Sequence, residues 1–276
     1  MSPESGTWTA IRVHKAKDRA AIIGALFEIG AEGVQELDDE IVTHLRDVDH
    51  ARVAAALHQV DSTATIEYAA TPNIDWSAEW RSRITAHRVG PLVVAPPWLA
   101  DQYPAAERIV IDPGMAFGTG EHETTRGALR LAASVLRQGD TVADLGAGSA
   151  VLSIAAAKLG ARRVAAIEID PEAISNAEEN VSRNGVADRV SVIEGDAGLL
   201  LPLVAPVRVV FANIVSSVLI ELLPVIANSI TADGVAILSG ILVDEKSAVE
   251  ESVALGGWRI LETDQEGMWW SVAIAR

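Results

Sequence analysis

TVADLGAGSAVLSIAAAKLGARRVAAIEIDP, residues 141–171, decides the fold. Residues 141–145 are an apolar run with one acid, Asp144, and are bounded by Gly146, which reads as a buried strand. Residues 151–159 read as a helix stopped by Gly160. A second apolar run, 164–169, carries Glu168 and leads into Asp170-Pro171, an N-cap followed by a first-turn proline. Strand, glycine turn, helix and strand in this order form a βαβ unit, whose two strands are parallel.

Working outward, the pattern repeats. The helix after Asp170 turns Ala173, Ile174, Ala177 and Val181 inward and stops at Asn184-Gly185. Strands are expected at 190–193, 207–211 and 235–238. Residues 258–263 and 268–275 read as two strands joined by so short a connection that they must be antiparallel. The expected fold is α/β, a doubly wound, mainly parallel sheet with an antiparallel C-terminal strand.

Upstream, residues 7–69 read differently. A strand at 7–13 precedes a helix capped by Asp18, with Ile22, Ala25, Leu26 and Ile29 on one face. Strands at 34–37 and 41–45 flank the turn-like Asp38-Asp39. Asp49 caps a second helix through Val53 and Leu57, and 63–68 is a last strand. The order βαββαβ is that of a ferredoxin-like α+β unit. Residues 70–113 hold six of the eleven prolines and three of the seven tryptophans. Trp76 and Trp80, four apart, stack on one face if a short helix forms there. The expected organisation is a small domain at 1–70, a Pro/Trp-rich packed connector at 71–110 and the sheet domain at 111–276.

Composition narrows the function. The 276 residues are 49 % apolar, enough for a sizeable core, and cysteine is absent, which rules out disulfides and thiolate metal sites. The N-terminal residues lack a signal-peptide pattern. The most apolar stretch, 199–215, is broken by Pro202, Pro206 and Arg208, so no membrane span is expected. The expectation is a soluble cytoplasmic protein. A net charge of −16 repels phosphate backbones, which argues against direct nucleic-acid binding. It suits a basic or neutral partner, or serves solubility alone.

Candidate binding residues sit where strands end. Gly146 and Gly148 allow a sharp turn and close approach of a ligand to the backbone. Position 151, where a nicotinamide-binding loop prefers a third glycine, is Val151. Asp144, two residues before the first glycine, is more typical of S-adenosylmethionine loops. It either accepts a hydrogen bond from the cofactor's ammonium or ties the loop's own amides together. Glu168 can take both ribose hydroxyls, and no local capping role accounts for it. Asp196 either accepts an adenine amino group or is a turn aspartate. Asn213 either orients an attacking amine or caps a helix. The segment DPGMAFGTGEHETT, residues 112–125, has three glycines in seven residues and suits a loop wrapped around a ligand. Phe117 can cover a cationic part of that ligand, and Thr119 and Gly120 belong to the same loop. His122 has no second histidine at ligand spacing, so it reads as a structural hydrogen-bonder and no metal is expected.

GMAFGTGEHETT at 114–125 resembles the signature of the PrmA family, which methylates protein eleven of the large ribosomal subunit. DLGAGS at 144–149, IEIDP at 167–171 and ANI at 212–214 follow in the matching order, and Trp76, Trp80 and Pro96-Pro97-Trp98 resemble the family's connector. The resemblance implies a class I methyltransferase (Rossmann-like) domain behind an N-terminal substrate-recognition domain. It implies S-adenosylmethionine as cofactor, held by Thr125, Gly146, Glu168 and Asn213. It also implies transfer to lysine side chains and the N-terminal amine of that ribosomal protein. Glu168 stands where an aspartate is expected, with the same chemistry on a longer arm. Glu121 and Glu123 flank His122 where a neutral residue and a proline are expected, and Ser216-Ser217-Val218 replaces a small residue and proline. Other readings stay open: methylation of another protein or a small amine, a dinucleotide-dependent oxidoreductase, or a non-catalytic adenosine-binding module.

Overall fold

The computed structural model describes residues 8–31, 33–37, 40–70, 84–112 and 120–276. The Trp76–Trp80 stack, the Asp38-Asp39 turn, and Phe117 and Thr119 of the glycine-rich loop lie outside the described residues. The chain divides into two compact units, Met1–Arg83 and Ile84–Arg276.

The first unit runs β1 (Trp8–His14), α1 (Arg19–Glu28), β2 (Val34–Glu36), β3 (Glu40–Arg46), α2 (His50–Val60) and β4 (Thr65–Ala70). Its four strands form one antiparallel sheet in the order β2-β3-β1-β4, the strand order of a ferredoxin-like unit. Asp18 caps α1 by accepting from Ala21 N at 3.0 Å, and Asp49 caps α2 by accepting from Ala51 N at 2.9 Å. The inward positions Ile11, Val13, Ile22, Leu26, Ile41, Val53 and Leu57 form its core.

The second unit opens with a small sheet of β5 (His87–Val89), β6 (Leu92–Ala95) and β7 (Arg108–Val110), with a 3-10 helix at Pro97–Gln102 between β6 and β7. This sheet occupies part of the stretch expected as a connector. Asn184 fastens it to the larger sheet: its side chain accepts from Val110 N at 2.8 Å and donates to Val110 O at 2.7 Å.

The elements that follow are α3 (Glu123–Val135), β8 (Thr141–Leu145), α4 (Val151–Lys158), β9 (Arg163–Glu168), α5 (Pro171–Arg183) and β10 (Val190–Glu194). After them come α6 (Ala197–Val204), β11 (Val207–Asn213), α7 (Ser216–Ser229), β12 (Ile230–Leu242), α8 (Lys246–Leu255), β13 (Arg259–Glu266) and β14 (Trp269–Ala275). The seven strands order β10-β9-β8-β11-β12-β14-β13, parallel except for β14, which is antiparallel to both neighbours. Strands β8, β9 and β11 are buried nearly throughout, as apolar runs covered on both faces must be. The order reverses between β8 and β11, and a crevice opens at their carboxyl ends. No described helix is long and apolar enough to cross a membrane.

Candidate active site

A cleft of about 750 Å³ lies at that switch point, a size suited to a cofactor. Each central strand contributes a residue just at or past its carboxyl end: Gly146 from β8, Ile169 from β9, Asp196 from β10, Asn213 from β11 and Gly240 from within β12. His122, Thr124 and Trp269 complete one wall, and Ile214, Val215, Val218, Glu221 and Leu222 another. The charged groups lining it are acids, with no lysine or arginine among the described lining residues.

Two glycines are dictated by close approach. Gly146 has φ +69°, and a Cβ there would fall 2.6 Å from Ile214 Cγ2. Gly240 has φ +83°, and its Cβ would fall 2.5 Å from the Ile214 carbonyl oxygen. Ile214, next to Asn213, is thus held between two loops that tolerate no side chain.

Asn213 does not cap α7; the cap position is Val215. Its Oδ1 is buried and has no hydrogen-bond partner, and the residue lines the cleft. A buried acceptor without a partner is costly and rare, so this atom is set for a donor from a ligand. The Thr125 hydroxyl, on the first turn of α3, is likewise buried and unpartnered. Thr125 is not itself on the cleft surface, although its neighbour Thr124 is.

Glu168 does have a structural task that local sequence reading did not find. Its Oε2 accepts from Gly148 N at 2.8 Å, and its Oε1 accepts from Ile169 N at 2.8 Å and Asp170 N at 2.9 Å. The carboxylate therefore laces the β8 loop to the end of β9, while Ile167 and Ile169 on either side line the cleft. A carboxylate offers about four acceptor positions, so roughly one remains for a ligand.

Asp144 is almost fully buried and accepts from Ser153 Oγ at 2.7 Å, tying β8 to α4. Burial pushes its carboxyl up to about 6; the Ser153 hydrogen bonds oppose this and the Glu168 charge adds to it. Asp196 lines the cleft and also caps α6, accepting from Leu199 N at 3.0 Å. Gly148 and Gly120 lie off the cleft surface. His122 caps α3 through Thr124, with Nδ1 2.8 Å from Thr124 Oγ1, and its ring meets Trp269 edge-on with centroids 5.0 Å apart. Sequence reading passed over Glu221 and Trp269. Helical spacing from Val218 places Glu221 on the cleft face of α7, but the wall made by Trp269 required the β14 pairing.

This set of groups fits S-adenosylmethionine. Apolar walls suit an adenine ring, the unpaired Asn213 acceptor awaits a donor, and an acidic lining suits a cationic sulfonium.

Comparison with known proteins agrees. Residues 27–276 match the family profile described as ribosomal protein L11 methyltransferase (PrmA). The ribosomal protein L11 methyltransferase of Thermus thermophilus is 42 % identical over 203 residues, 73 % of this chain and 78 % of that protein. That of Pelotomaculum thermopropionicum is 41 % identical over 203 residues, 72 % of this chain but only 65 % of that protein's length. A crystal structure of a ribosomal protein L11 methylase from Lactobacillus delbrueckii subsp. bulgaricus superposes with a TM-score of 0.63 at 33 % identity, covering 70 % of this chain and 99 % of that one. The strand order, the switch-point cleft and these matches agree: the chain belongs to the ribosomal protein L11 methyltransferase (PrmA) family of class I, S-adenosylmethionine-dependent methyltransferases.

Proposed function

We propose that this chain transfers methyl groups from S-adenosylmethionine to lysine side chains and the N-terminal amine of ribosomal protein L11. The observation that carries the reading is the Asn213 side chain, which belongs to a residue lining the cleft and whose Oδ1 is buried without a partner. The cofactor supplies an electrophilic methyl on a cationic sulfur. Asn213 accepts an N–H from the acceptor amine and so points the nitrogen lone pair along the line of transfer. Placement of this kind contributes up to about 7–11 kcal/mol at ideal geometry. Free lysine has a pKa of about 10.4, so the amine must lose a proton first, and the apolar walls at Ile214, Val215 and Trp269 favour its neutral form. A neutral amine is nucleophilic enough that no strong enzymic base is required. Gly146 and Glu168 hold the cofactor's amino-acid and ribose ends, with Asp196 beside the adenine; Thr125, Asp144, Gly148 and Gly120 act from behind the cleft surface, and Phe117 and Thr119 are further cofactor-binding residues in this reading.

Residues 1–70 act as the substrate-recognition domain and take no part in the chemistry. They carry 12 acids against 6 bases, a difference of −6 that suits a basic ribosomal protein. Nucleic acid and membrane are not partners in this reading, and the protein works in the cytoplasm. Calorimetric titration tests the cofactor assignment. S-adenosylmethionine should bind and NAD should not; binding of NAD alone would overturn it in favour of an oxidoreductase.

A further inference from the structure

The two backbone segments that present His122 and Trp269 to the cleft are joined by a network of ion pairs. Arg126, one turn into α3, donates through Nε and Nη2 to Glu266 Oε1, at 3.0 and 2.5 Å, and through Nη1 to the Glu121 carbonyl. Glu266 ends β13 and pairs in register with Trp269 across the tight turn into β14. Glu121 precedes His122, the cap of α3. One guanidinium thus bridges the two backbone segments that present the two rings. Arg130, one turn further on, forks onto Asp264 at 2.7 and 2.5 Å and reaches Glu266 Oε2 at 2.7 Å. Gly127 lets the helix come this close, since a Cβ there would fall 2.5 Å from Ser271 Oγ and 3.2 Å from Asp264 Oδ1. Isolated surface ion pairs contribute little, but a forked network with partly buried arginines is a different case. Arg126 is 16 % exposed, and the carboxyl of Glu266 is held below its ordinary range, first by Arg126.

Sheet order says which end of the cleft this network serves. The β9 and β10 ends, with Ile169 and Asp196, lie on one side of β8. Asn213, Gly240 and Trp269 lie on the other, the end assigned above to the acceptor amine. We infer that Arg126 and Glu266 are positioning residues for methyl transfer: their pair, with Arg130 and Asp264, fixes the His122–Trp269 wall that aligns the acceptor. This rests on the function proposed above.

The test uses the full chain, S-adenosylmethionine and ribosomal protein L11. At saturating substrates, R126Q and E266Q should each lower kcat about tenfold or more, since a misplacement of about 1 Å can cost on the order of 100-fold. Any weakening of the Kd for S-adenosylmethionine should be smaller than the loss in kcat, a split that general loosening of the fold would not give. The double variant should lose clearly less than the product of the two single losses, because the Arg126–Glu266 bond is common to both. R126K, which keeps the charge but loses the fork, should recover part of the loss. Amide exchange at residues 120–126 and 267–270 should rise in both single variants without any substrate. If E266Q fails to melt cooperatively, E266D is read in its place. Wild-type kcat in a folded variant, multiplicative losses in the double variant, or unchanged exchange would each overturn the inference. The exchange measurement decides even if wild-type protein proves inactive on ribosomal protein L11, a result that would refute the proposed function instead.

Discussion

Glu168→Ala separates the lacing role of this carboxylate from the ribose-binding role proposed for it. Removing it frees three backbone N–H groups, those of Gly148, Ile169 and Asp170. The carboxylate is 8 % exposed, so water reaches the rim and replaces part of what is lost. A net cost near one charged hydrogen bond, about 1.5–3 kcal/mol, is expected. In a unit of this size it corresponds to a fall in Tm of roughly 3–12 °C. If the remaining acceptor position holds the ribose, cofactor affinity should fall by another such bond, about 10- to 150-fold. The assay is titration calorimetry with S-adenosylmethionine and with its 2′-deoxy analogue, alongside thermal melts. Contact with the ribose predicts a smaller loss of affinity for the deoxy ligand, which has one hydroxyl fewer to lose. Equal losses for both ligands would exclude a contact with the 2′-hydroxyl. An unchanged melt would refute the lacing role as well, and Glu168→Asp should keep much of the binding.

Three other outcomes follow from the same geometry. Asn213→Ala should cut kcat roughly 10- to 100-fold, the range of a lost orienting contact, yet leave Tm unchanged or slightly higher, because its Oδ1 bonds to nothing in the free protein; a destabilised variant with full activity would contradict the assignment. Asp144 has its carboxyl raised by burial from 3.8 to about 6, so its contribution is fully present below pH 3.8 and is lost as pH rises through 6. Asp144→Asn should therefore match wild type near pH 4 and exceed it above pH 6 by on the order of 2–3 kcal/mol, and a stability difference independent of pH would refute this. A chain beginning at Thr71 should still bind S-adenosylmethionine but lose most activity on ribosomal protein L11, with salt weakening the intact protein's turnover; full activity of the folded truncation would refute the recognition role.

The parts of the fold legible in the sequence are those with local causes. Asp170-Pro171 starts α5 and Gly160 stops α4, because caps and breakers act within one turn. The β8 loop reads as a binding loop because two glycines follow a buried strand. The small β5–β7 sheet was hidden: its strands have three or four residues, too few for a periodic signal, among prolines. Helices α6 and α7, for which the sequence reading named no element, contain Pro202 and Pro224, residues unfavourable inside a helix. The lacing of Glu168 to the β8 loop escaped because Gly148 lies 20 residues away, although its bonds to Ile169 and Asp170 are local, and the Arg126–Glu266 pair escaped because it spans 140. Neither separation leaves a mark on sequence spacing.

Methylation of ribosomal protein L11 is the activity proposed for this chain. Purified protein, isotope-labelled S-adenosylmethionine and a mixture of ribosomal proteins, followed by mass spectrometry of each protein, test it most directly. Label is expected on ribosomal protein L11, at lysine side chains or the N-terminal amine, and should fall sharply with Asn213→Ala. Label confined to another protein, or none at all from an enzyme that binds the cofactor, would contradict it.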